Sequence, residues 1–133
     1  MKDTEFYFEE LKELRNNAYV PYSNFRVATI LYLKNGERIV GVNVENAAYS
    51  PTICGERCAL PQLYAQGYDR NDVELMTLYT DSKNVGTPCG VCRQVMIELL
   101  NRDQKILIFN INGYCEETTP ELLLPKSFTE EDL

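Results

Sequence analysis

From Thr4 to Asn17 the chain places Phe8, Leu11, Leu14 and Arg15 at helical spacing behind an acidic first turn, which predicts an amphipathic helix. Tyr19 to Ser23, with Pro21 in the middle, ends that pattern. Val27 to Leu33 and Arg38 to Val44 are β-rich runs on either side of Lys34-Asn35-Gly36-Glu37, and Asn-Gly is the strongest signal for a two-residue hairpin. Ser50-Pro51 predicts the opening of a second helix: serine can cap, and proline lacks no needed donor at the first helical position. Leu75 to Thr80 reads as a buried strand. Gly90 to Asn101 reads as a helix with Val91, Val95, Leu99 and Leu100 on one face, and Ile106 to Ile111 as another strand. Beyond Asn112-Gly113 lie a short strand, the segment Leu122-Leu123-Leu124-Pro125 and an acidic tail containing Phe128.

The order is α-β-β-α-β-α-β. Alternation in the second half predicts parallel neighbouring strands with helices over both faces, and the hairpin makes the sheet mixed. A length of 133 residues with 44% hydrophobic positions fits one core, and no linker tract or internal repeat divides it, so residues 1–133 are expected to form one domain.

Charge narrows the function classes. Twenty acidic against thirteen basic residues give a net charge of −7, which opposes binding to a polyanion, so no nucleic-acid partner is expected. No apolar run approaches the ~20 residues needed to span a bilayer, and the acidic start lacks the basic and apolar regions of a signal peptide. Five cysteines, an odd number at metal-type spacing, suit a reducing compartment better than a disulfide framework. A cytoplasmic location without a membrane partner is the expectation.

The cysteines carry the chemistry. Cys54-Gly55-Glu56 lies in one half and Pro88-Cys89-Gly90-Val91-Cys92 in the other, in a chain with no histidine. Any zinc here is held by sulfur or carboxylate, and three cysteines supply one ligand fewer than a closed structural site, leaving a position open to water. Thiolates at helix starts are stabilised by unpaired N–H groups and the positive end of the dipole. Three thiolates leave the site with a formal charge of −1, so Arg57 and Arg93 are candidates to compensate it, against the plainer alternative of surface ion pairing. Glu56 cannot readily ligate beside Cys54 but can reach metal-bound water, which makes it the candidate proton shuttle. The plainer alternative is a first-turn glutamate favoured by the dipole. A ligand-x-Glu element followed by Pro-Cys-x-x-Cys is the pattern of zinc deaminases.

With these motifs the chain resembles the small, all-cysteine type of cytidine deaminase. Four blocks carry the likeness: Ala18 to Phe25 (AYVPYSNF), Asn43 to Tyr49 (NVENAAY), Cys54 to Arg57 (CGER) and Pro88 to Gln94 (PCGVCRQ). The resemblance implies an α/β/α sandwich around a five-stranded mixed sheet, one zinc ion per chain on Cys54, Cys89 and Cys92, and a homotetramer with shared active sites. It implies deamination of cytidine and deoxycytidine in pyrimidine salvage, with zinc-activated water attacking C4 and Glu56 protonating N3 and the departing amine. Asn43 and Glu45 would then bond the ribose hydroxyls, Phe25 would pack on the nucleoside, and Tyr49 and Phe128 would reach a neighbouring subunit's site. Backbone groups near Gly55 and Thr87 would orient the base.

Two positions depart from the family pattern. Cys58, one helical turn after Cys54, stands where many relatives have threonine and is a potential competing ligand. Pro61 falls inside the expected helix, where it removes the bond to the Arg57 carbonyl and predicts a kink or restart. Two rival functions are a deaminase of a cytosine-containing antibiotic and a non-catalytic zinc-stabilised interaction module.

Overall fold

The structure is a computed structural model that describes residues 2–133. Helix α1 (Thr4–Arg15) starts where the Asp3 side chain accepts from the Phe6 N–H, and it buries Tyr7 and Leu11. Strands β1 (Val27–Leu33) and β2 (Arg38–Val42) form an antiparallel hairpin. Its loop is one residue longer than the Asn-Gly signal predicts. Leu33 and Glu37 still pair, so Lys34, Asn35 and Gly36 make the turn, and Gly36 takes φ +92°, the left-handed residue that three-residue loops require.

Helix α2 (Gly55–Ala65), strand β3 (Val73–Thr80), helix α3 (Gly90–Leu99), strands β4 (Ile106–Asn110) and β5 (Gly113–Thr118) and the short α4 (Pro120–Leu123) complete the chain. The sheet order is β2-β1-β3-β4-β5, parallel only between β3 and β4. This is the expected five-stranded mixed sheet. Alternation within β4 divides the core: Leu107 and Phe109 face α1 with Tyr7 and Leu11, while Ile106 and Ile108 face α2 and α3. Three layers result, with α1 on one face and α2 and α3 on the other.

Three expectations need correction. Helix α2 begins at Gly55 with Cys54 as its cap, not at Ser50-Pro51, because Val44 and Ile53 exchange two backbone hydrogen bonds of 3.0 Å and hold the chain extended up to the cysteine. Ser50-Pro51 instead sits in an exposed turn closed from the Thr52 N–H to the Tyr49 carbonyl. The buried stripe of α3 is Cys92, Met96 and Ile97, and Val91 is exposed. Finally, α2 runs through Pro61 without restarting. The Gln62 amide donates to the Cys58 carbonyl at 2.7 Å and to Val40 of β2 at 3.1 Å, pinning the turn that proline weakens onto the sheet.

The start of α2 lies against β2 at Gly41. A Cβ there would strike the Gly55 carbonyl and sit 2.7 Å from the Ala59 nitrogen, so only glycine allows this close approach. Gly41→Ala is expected to cost about 1–3 kcal/mol in chemical denaturation and to lower zinc content, because the helix that must shift carries Cys54 and Glu56.

Candidate active site

Cys54 caps α2 and Cys89 caps α3, and neither side chain makes a capping hydrogen bond, so both sulfurs can turn to a shared point. Cys92 reaches the same point from the first turn of α3. The three sulfurs lie within 4.8 Å of one another, the only such metal-ligating cluster among the described residues. Tetrahedral zinc with bonds of about 2.3 Å sets sulfurs about 3.8 Å apart, so the donor set fits the ion. Cys58 lies outside the cluster, and its sulfur accepts a long contact from the Gln62 amide at 4.0 Å.

Glu56 is 3% exposed, and its Oε1 has no hydrogen-bond partner. Burial, reinforced by the Cys54 thiolate, pushes its carboxyl from the ordinary 4.5 up to about 7. A buried carboxylate oxygen without a partner, in a group beside the Cys54 and Cys92 sulfurs, is expensive for folding unless something outside the chain meets it. The Cys54 thiol moves the other way, down to about 5, through the hydrogen bond from Cys92 and then the Arg57 guanidinium.

Arg57 donates from Nη2 to Cys54 Sγ at 3.5 Å, and the sulfurs of Cys54 and Cys92 raise its pKa in return. Its guanidinium thus meets the sulfur directly. Arg93 does not. Its Nε donates to the Pro88 carbonyl at 2.6 Å, Nη1 to the Leu123 carbonyl and Nη2 to Thr87 Oγ1, both at 2.7 Å, so the guanidinium fastens the loop ahead of Cys89 to α4. The adjacent Gln94 donates to the Phe128 carbonyl at 2.8 Å and ties down the tail. The sequence signals neither task, because the acceptors at Pro88, Leu123 and Phe128 are backbone carbonyls.

Of the remaining predicted residues, Asn43 and Glu45 bond the Tyr22–Val27 segment, which carries Phe25. Tyr19 pairs its backbone with Val44, and Val44 with Ile53, so this segment, the Asn43–Glu45 run and Cys54 are joined. Asn43 Oδ1 accepts from the Val27 N–H at 2.9 Å and Nδ2 donates to the Phe25 carbonyl at 2.8 Å. Glu45 Oε1 accepts from the Tyr22 and Ser23 N–H groups at 3.0 and 3.1 Å, and Oε2 accepts from the Ser23 hydroxyl. That hydroxyl is the main reason the Glu45 carboxyl lies below its ordinary pKa. Both side chains thus shape the segment that presents Phe25. Each keeps spare capacity: Asn43 one N–H and one lone pair, Glu45 one lone pair on Oε2. Tyr49 and Phe128 are 94% and 60% exposed.

A family model described as "Cytidine and deoxycytidylate deaminase zinc-binding region" matches residues 1–109. The chain belongs to the cytidine deaminase family. It is 44% identical over 131 residues to a cytidine deaminase of Halalkalibacterium halodurans, covering 98% of each chain. It is 39% identical to a cytidine deaminase of Sporosarcina psychrophila, over 98% of this chain and 95% of the other. Among solved structures, cytidine deaminase from Burkholderia pseudomallei superposes with a TM-score of 0.89 at 36% identity, over 96% of this chain and all of the other. The fold expected from the resemblance is therefore the fold found.

Proposed function

We infer that the chain is a zinc-dependent hydrolytic deaminase converting cytidine and deoxycytidine, with water, to uridine and deoxyuridine plus ammonia. The observation that carries this reading is the juxtaposition of three cysteine sulfurs at two helix starts with the buried, unpartnered Glu56. One bound zinc ion supplies the Lewis acidity that makes water a nucleophile near neutral pH. Cys54, Cys89 and Cys92 hold the ion, and Arg57 offsets the negative charge of their sulfurs. Glu56 takes a proton from the water and delivers protons to N3 of cytosine and to the departing amine. A non-catalytic zinc module needs no such carboxylate, and the Asn43–Tyr49 run suits a plain nucleoside better than a larger antibiotic.

Glu45 and Asn43 meet the ribose hydroxyls with the acceptors and donor they keep, and Phe25 packs on the nucleoside. A carboxylate beside the sugar disfavours a 5′-phosphate, so free nucleosides are the substrates. Two strongly exposed aromatics, Tyr49 and Phe128, support a homotetramer in which each completes a neighbouring site. No described helix is long and apolar enough to cross a membrane, and work in cytoplasmic pyrimidine salvage fits the odd, metal-spaced cysteines. An absorbance assay tests the reaction: the zinc-loaded protein should consume cytidine and deoxycytidine and spare CMP, and bound zinc without turnover would refute the reading. Light scattering tests the assembly, where a mass of about four chains is expected and a fully active monomer would remove Tyr49 and Phe128 from the site.

A further inference from the structure

Asp81 lies just past β3, outside every motif above and 55 residues from Arg26, yet it is bound to the Phe25 segment. Its Oδ2 accepts from the Arg26 N–H at 2.9 Å, and its own N–H donates to the Arg26 carbonyl at 3.1 Å. Its Oδ1 is engaged on the opposite side. The Tyr79 hydroxyl donates to Oδ1 at 2.7 Å, and Arg15 of α1 donates to that hydroxyl. Direction is fixed along this chain, since a guanidinium can only donate and the hydroxyl must therefore send its proton on to Asp81. Burial, then Asp81, pushes the Tyr79 hydroxyl up to about 12, so it stays a donor at working pH. Arg15 also covers the Tyr79 ring at 5.1 Å and lies 3.7 Å from Oδ1. With Oδ1 held in this way, Oδ2 is left aimed at Arg26. Asn24, two residues before Arg26, takes φ +56°, a left-handed conformation that asparagine adopts more readily than most residues.

We propose that Asp81, oriented by Tyr79 and Arg15, is a positioning residue that fixes the backbone at Arg26 and thereby the place of Phe25, setting affinity for the nucleoside without touching it. The proposal rests on reading Phe25 as a nucleoside contact. Asn43 holds the Phe25 carbonyl and Val27 N–H, Ser23 the Phe25 N–H, and Asp81 the remaining N–H between them. Loss of Asp81 frees Phe25 from one side while Glu56 and the three cysteines keep their places, so binding suffers and chemistry does not.

Steady-state kinetics on the zinc-loaded full chain test it. Asp81→Ala should raise the KM for cytidine about tenfold and leave kcat within about threefold, the size expected for a charged hydrogen bond. Asp81→Asn keeps an oxygen for the Arg26 N–H and should bring KM back to within about threefold of the parent. In the Asp81→Ala/Phe25→Ala pair, KM should rise no further than in Phe25→Ala alone. If Asp81→Ala does not fold, Tyr79→Phe replaces it, with an expected KM rise of about threefold. An unchanged KM in the variant read, an equal fall in kcat, no rescue by asparagine, or multiplying effects in the pair would overturn the proposal. If Phe25→Ala itself leaves KM unchanged, the nucleoside role of Phe25 is what fails, and the proposal falls with it.

Discussion

Glu56→Gln is expected to keep zinc and fold while lowering kcat by at least about two orders of magnitude. The amide matches the carboxylate in size but neither takes a proton from water nor returns one to N3. The fold should tolerate the change, since Oε1 has no partner to lose and a neutral amide is cheaper to bury than a charge. The linkage sign gives a second readout on the zinc-free chain. A carboxyl raised from 4.5 to about 7 binds more protons folded than unfolded between those values, so its contribution to stability falls as pH rises through that window. Glutamine does not titrate. Its stability advantage over the parent should therefore be present above about pH 7 and vanish below about pH 4.5. Near-normal turnover would remove Glu56 as the shuttle, and a large loss of thermal stability would show that it is structural.

Much of the site is legible in the sequence because its chemistry depends on side-chain type at fixed spacing. Cys89 and Cys92 open one helix and Cys54 another, with Glu56 two residues on, so the three-sulfur cluster and the carboxylate proposed as the shuttle are recognisable as the zinc-deaminase pattern. The hydrophobic pattern similarly places β1, β3 and β4, each of which is buried along almost all its length. Local signals fail where a distant backbone decides. Ser50-Pro51 is a good helix opening, but the pairing of Val44 with Ile53 postpones α2 to Gly55. Pro61 is a good helix breaker, but Gln62 fastens the weakened turn to Val40. Arg93 looks like a charge for the sulfurs, but each of its three nitrogens donates elsewhere, to Pro88, Leu123 and Thr87. Gly41 did carry a signal, since a glycine inside a strand often marks a close backbone approach, although its partner at Gly55 needs the fold to be seen.

Cys89→Ala should lower both zinc occupancy and thermal stability, because the ion joins the starts of α2 and α3, two helices that no disulfide connects. Free zinc at about a thousand times its dissociation constant adds about 4 kcal/mol to the folded state, and the fraction of this lost follows the loss of affinity. Chelation of the parent should reproduce the fall in melting temperature, and adding zinc back should reverse it in the parent at concentrations that fail in the variant. Cys89 is the informative ligand to remove. It is exposed, so its truncation leaves no core cavity, whereas Cys92 is fully buried and its alanine variant would mix lost metal with lost packing. Cys58→Ala is the control: its sulfur lies outside the cluster, so zinc content should be unchanged. Unaltered zinc affinity in Cys89→Ala would mean that Cys58 turns inward to replace it, and loss of zinc in the double variant alone would identify that substitution.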